Sequence, residues 1–177
     1  MMYDLKRLKN EKIVELIKRG EVTAANLVDS GICPTCFDKQ NGHILYGDSQ
    51  GKMIFENDRL ECFFVGNPRA EGHAAISTKK HFKDMTEIDD ETCCEVFLLA
   101  VKAMRAIREV FGCESVYLCT MCDGPMNHFH VQLIPRYSFE KRGSKNFVKP
   151  RSEYREDKDK LARLRNMISM PEDGIPE

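Results

Sequence analysis

No run in this sequence is apolar for long enough to cross a bilayer, and the opening residues MMYDLKRLKN lack the apolar core of an export signal. Neither membrane insertion nor secretion is expected. An excess of charge of either sign is missing too: 27 basic residues stand against 28 acidic ones, a formal net charge of −1. A chain so balanced, without a stripe of mixed basic and aromatic residues, is not expected to bind nucleic acid. Internal repeats and low-complexity stretches are also lacking. The 177 residues are therefore read as one domain with enough length for one core. Eight cysteines without an export signal point to a reducing compartment, the cytoplasm, where thiols hold metals or pack as small apolar groups.

What is present centres on Asn127-His128-Phe129-His130-Val131-Gln132-Leu133-Ile134-Pro135-Arg136. Polar and apolar residues alternate here with period two, which predicts a strand with His128, His130 and Gln132 on one face and Phe129, Val131 and Leu133 on the other. Solvated strands more often carry Lys, Glu and Thr, so two imidazoles and an amide in a row suggest a site.

Leu5, Leu8, Ile13, Leu16 and Ile17 predict an amphipathic helix over 4–19, stopped at Gly20, and Thr23 is a candidate N-cap for a second helix ending near Val28. Next comes the Cys33-Pro34-Thr35-Cys36 knuckle. Strands are predicted at His43–Tyr46, Lys52–Glu56, Leu60–Val65 and Gly72–Thr78, with turns at Asp48…Gly51 and Asn57-Asp58. Residues 89–111 form the clearest helix, with Cys93, Phe97, Ala100, Met104, Ile107 and Phe111 as its apolar stripe and Cys93 and Cys94 as core residues. Ser115–Cys119 is a fifth strand, followed by an Asp123-Gly124-Pro125 turn. A basic loop spans 141–151, a charged helix covers 153–169, and the end is expected to fray. Strands joined by hairpins around one long helix predict an α+β fold with an antiparallel sheet. The expected organisation is a helical extension (1–30), a core (31–136) and a charged loop and helix (137–177).

Three segments carry a resemblance to a known family. They are His-Phe-His-Val-Gln-Leu-Ile at 128–134, Glu71-Gly72-His73 leading through an apolar strand to Lys79-Lys80-His81, and Ile54-Phe55-Glu56-Asn57-Asp58-Arg59-Leu60. In this order, with a Cys-x-x-Cys ahead of them, they resemble the histidine-triad (HIT) superfamily from Cys33 to Arg136. The resemblance implies a HIT-like antiparallel sheet of about five strands with flanking helices, commonly assembled as a homodimer. The third histidine of the motif is absent and Gln132 stands in its place. That form resembles the transferase branch, which includes galactose-1-phosphate uridylyltransferase and the dinucleoside-polyphosphate phosphorylases.

By the same resemblance, His130 is the nucleophile that attacks the α-phosphate of a nucleotide and forms a nucleotidyl-histidine. A neutral imidazole is a competent nucleophile near neutral pH. Gln132 can donate an N–H to a non-bridging phosphate oxygen, yet it has no titratable proton for a leaving group, which favours transfer over rapid hydrolysis. Gly124 and Asn127 are candidate phosphate-binding residues, though Gly124 reads equally as an ordinary turn glycine and Asn127 as a turn cap.

Cys33 and Cys36 have the spacing of a structural zinc site, which needs two more ligands. The resemblance supplies His81 and His128, a Cys₂His₂ site for Zn²⁺; a Cys₄ site using Cys119 and Cys122 is the rival. The first is preferred because it also accounts for the two histidines. His43 and His73 receive no task. Where many relatives carry a ribose-binding aspartate, this chain has Val65, and Pro125 falls near where a serine would assist the leaving group. The expected function is a HIT-family nucleotidyltransferase or hydrolase acting on a nucleotide or nucleotide conjugate. The alternatives are a dinucleoside-polyphosphate hydrolase and a catalytically silent zinc- or nucleotide-binding module.

Overall fold

The computed structural model describes residues 3–46, 52–121, 124, 126–143, 150–152 and 157–169. The expected turn at Asp48…Gly51, Cys122, Asp123, Pro125, most of the basic loop and residues 153–156 lie outside the described residues.

Five strands form one antiparallel sheet: β1 (Met53–Glu56), β2 (Leu60–Phe64), β3 (Ala74–Thr78), β4 (Ser115–Cys119) and β5 (His130–Arg136). Their order across the sheet is β1-β2-β3-β5-β4, and every pairing is antiparallel, as the hairpin pattern predicted. One face carries Ile54, Leu60, Cys62, Ile76, Val131 and Leu133, packed on the long helix α4 (Asp90–Phe111) and the C-terminal helix α5 (Lys158–Ser169). The Asp89 side chain caps α4 by accepting from Thr92 N at 2.9 Å, and Gly112, at φ +64°, ends it in the left-handed conformation. Gly72, at φ +77°, sits so close to the end of α4 that a Cβ would lie 2.8 Å from the Phe111 ring. Only glycine fits there.

The N-terminal segment builds a second apolar cluster. Its helices are α1 (Asn10–Lys18), α2 (Ala24–Asp29) and α3 (Pro34–Gln40). Leu5, Ile13, Leu16, Val22, Leu27 and Phe37 meet in its centre. The single helix predicted over 4–19 is divided: a 3₁₀ turn at Leu5–Arg7, an extended Leu8–Lys9 junction, then α1. Thr23 caps α2 as predicted, in a reciprocal box with Asn26.

Three expectations are corrected. His43–Tyr46 is a turn and not a strand; Ile44 and Leu45 pack against the N-terminal cluster, which is what their apolarity serves. The buried stripe of α4 runs through Val96, Leu99, Ala103, Ala106 and Val110, with Ala100 and Ile107, while Phe97 is 41% exposed. Cys93 is half-buried and Cys94 exposed, so neither is a core residue. Burial follows the face that α4 turns toward the core, and Phe97 lies off that face despite its size. Among the described residues no helix is long and apolar enough to cross a membrane.

Candidate active site and metal cluster

The second face of the sheet floors a cavity of about 290 Å³. Register sets its floor: on β3 and β5, Ala75 lies opposite Gln132 and Ser77 opposite His130. Residues of α3 and the turn after it, among them Thr35, Lys39 and His43, line it from the other side. Lys39 ties the two together, pairing with Glu61 at 2.7 Å, both side chains mostly buried, and donating to Thr78 O at 3.4 Å.

His130 Nδ1 lies 2.9 Å from the carbonyl oxygen of His128. A carbonyl only accepts, so Nδ1 carries the proton and Nε2 is left with its lone pair. That lone pair lies 3.5 Å from Gln132 Nε2. Gln132 is nearly buried, and its Oε1 has no hydrogen-bond partner among the described residues. The ladder begins only at His130, yet the predicted alternation holds before it: Phe129 is buried in the core, while the His128 ring bonds to Thr78 O and His130 lines the cavity.

His128 points at α3. Its Nε2 donates to Thr78 O at 2.7 Å, which leaves Nδ1 as the free donor atom, 3.4 Å from Cys36 Sγ and 3.7 Å from Cys33 Sγ. His81 Nδ1 is 3.4 Å from Cys36 Sγ, and the four ligand atoms all lie within 4.8 Å of one another. A tetrahedral zinc with ordinary Zn–S and Zn–N bonds has S···N edges of about 3.5 Å, so the donor set fits that metal in number, type and spacing. The Thr78 carbonyl is the outer partner that orients a metal-binding imidazole. Cys33-Pro34-Thr35-Cys36 is the first turn of α3, with Cys33 as N-cap and Pro34 at the first helical position, which brings both thiols to one end. Burial, reinforced by Cys33, pushes the Cys36 thiol up to about 11, and burial lowers the His128 imidazole below its usual value. Both are neutral near pH 7 without a cation. Cys119 stands beside Gln132 on β4 and is not in the cluster.

Of the remaining candidates, Asn127 donates from Nδ2 to Lys83 O at 2.6 Å, and Gly124 is exposed at φ +97°. Neither lines the cavity. Sequence reasoning passed over His43, Asp38, Lys39 and Lys52 as cavity residues. Arg151, from the basic loop, also reaches it, donating to Asn67 O at 2.6 Å.

The sheet and this site define a HIT protein: a HIT domain model matches residues 47–139, more than half of the chain, and the chain belongs to that family. Its fold is that of the family's nucleotide-binding hydrolases and transferases. An uncharacterised HIT-like protein of Methanocaldococcus jannaschii is 28% identical over 98 residues, spanning 53% of this chain and 75% of that one. A Zn-bound histidine triad family protein from Mycobacterium smegmatis superposes with a TM-score of 0.54 at 20% identity, over 66% of this chain and 83% of that one. The diadenosine triphosphate hydrolase of Plasmodium falciparum, solved with cyclomarin A, gives 0.51 at 16% identity, over 70% of this chain and 77% of that one. These two likenesses establish the fold.

Proposed function

We propose that this protein is a nucleotidyltransferase or hydrolase that attacks the α-phosphate of a nucleotide or nucleotide conjugate through His130. The observation that carries this reading is the fixed tautomer of His130, whose Nδ1 is engaged by the His128 carbonyl, so that the second nitrogen remains for phosphorus beside the Gln132 amide. In the first step Nε2 bonds to phosphorus as the bond to the leaving group breaks; in the second an acceptor displaces His130. Gln132 donates an N–H to a non-bridging oxygen whose charge grows in each transition state. Gly124 and Asn127 are proposed for the outer edge of the phosphate site, Asn127 having one N–H already on Lys83.

Cys33, Cys36, His81 and His128 would hold a zinc ion, and the Zn-bound family member supports that choice. Bound there, zinc supplies structure by fixing two thiolates and two imidazoles. The chain's own contribution is to aim the nucleophile: His128 is held at its ring by Thr78 and holds His130 through its main chain. Zinc thiolates and free cysteines suit the cytoplasm proposed for the protein. A homodimer is proposed as well. It is supported by Phe97, Leu98 and Val101, which stand 41, 67 and 45% exposed on α4.

The test is mass spectrometry after brief incubation of the zinc-loaded protein with a panel of nucleotides and dinucleoside polyphosphates. A nucleotidyl adduct on His130, absent from His130→Ala, is expected. Discharge by phosphate or a sugar phosphate identifies a transferase, and discharge by water a hydrolase. No adduct with any substrate, together with turnover indifferent to His130→Ala, would sink the proposal.

A further inference from the structure

His43 is the one residue other than glycine with positive φ among the described residues, at +59°. A side chain held in the left-handed region is strained, and such strain persists where the surroundings dictate it. Asp38 supplies much of that constraint. It is buried on α3, its main-chain oxygen accepts from His43 N at 2.9 Å, and its carboxylate accepts from Leu45 N at 2.6 Å. The second carboxylate oxygen lies 3.3 Å from His43 Nδ1. The backbone bonds are enough to close the turn, and none of them needs an imidazole. Glycine or asparagine would occupy the same φ with less strain. His43 lines the same cavity as His130 and Gln132. With Nδ1 facing Asp38, Nε2 is the nitrogen it can offer to a substrate.

We infer that His43, oriented by Asp38, is the general acid and base of this site and moves the proton that Gln132 cannot. The assignment rests on the His130 reading above and adds to it. In the first step His130 Nε2 bonds to phosphorus, the bond from phosphorus to the leaving oxygen breaks, and that oxygen takes the proton from His43 Nε2. His43 is then neutral with its remaining proton on Nδ1 toward Asp38. In the second step the acceptor hydroxyl or water bonds to phosphorus and gives its proton to His43 Nε2. The phosphorus–nitrogen bond breaks and its electron pair returns to His130. Asp38 is a positioning residue: it selects the Nδ1–H form and faces the charge His43 carries before each turnover.

Leaving groups separate this role from a structural one. Single-turnover formation of the His130 adduct is followed for wild type and His43→Gly, matched for zinc content, with two esters of one nucleoside monophosphate. The 4-nitrophenyl ester departs without a proton, and the trifluoroethyl ester needs one. Glycine relieves the strain at this φ, so the fold is kept, and it opens room for free imidazole. The variant is expected to lose about 10²-fold or more with the trifluoroethyl ester and less than about 3-fold with the nitrophenyl ester, and added imidazole should restore the former. Equal slowing of both esters, or of neither, overturns the assignment while leaving His130 as nucleophile. A wild-type protein that forms no adduct with either ester overturns the parent reading and this one with it.

Discussion

Gln132 shows how much depends on single atoms here. Its Nε2 lies beside the His130 lone pair, and its Oε1 is buried without a partner among the described residues. A side chain in that state is poised to serve a ligand more than the fold. Gln132→Ala should therefore lower the rate of adduct formation by about 10²-fold, with a much smaller change in substrate binding, read from single-turnover rates against substrate concentration. A parallel loss of fold or of zinc would show the amide to be structural instead. At this scale the sequence was legible wherever a motif existed. Cys33, Cys36, His81 and His128 each stand out in the sequence, and they converge. His43 receives no task from the sequence and Asp38 draws no notice, because what marks them is a backbone angle and a buried carboxylate on a short helix, and neither leaves a periodic trace.

Among the elements, α4 is the one whose sequence and structure disagree most usefully. Its hydrophobic residues surround more of the helix than one sheet can cover. The helical spacing of the sequence puts Phe97 on the apolar stripe, whereas the sheet accepts Val96, Leu99, Ala103 and Ala106. What is left over, Phe97, Leu98 and Val101, faces outward. If this face joins two copies, Leu98→Asp should shift the sedimentation coefficient from dimer to monomer while the circular dichroism spectrum is retained. A wild-type protein that sediments as a monomer at tens of micromolar would dismiss the dimer. The strands were legible because hairpin turns and alternation define them locally. The supposed strand at His43–Tyr46 failed since two apolar neighbours, Ile44 and Leu45, answer to a cluster assembled far earlier in the chain.

Over the whole molecule, two apolar clusters share one set of thiols and imidazoles. Cys33 and Cys36 are carried by the helix whose Phe37 belongs to the N-terminal cluster, while His81 and His128 flank the strands of the main one. Cys36, its thiol held near 11, and a neutral His128 mean that a cation must displace at least the Cys36 proton. Zinc affinity should rise steeply with pH between 6 and 8, with protons released on binding, measured by competition with a chromophoric chelator. An affinity flat across that range would show that thiols are not the ligands. Chelation should also make the first 46 residues the preferred site of limited proteolysis, ahead of the sheet. The Lys39–Glu61 pair spans the same seam.

Under the function proposed above, that seam ties the site to the metal available in a cell. The proposed nucleophile, His130, takes its aim from a main-chain oxygen two residues away, on a histidine whose ring belongs to the candidate metal cluster. A cell short of zinc would therefore not merely hold less stable protein; it would hold protein with a blunted nucleophile. Turnover would then follow the supply of a trace element that never touches the substrate.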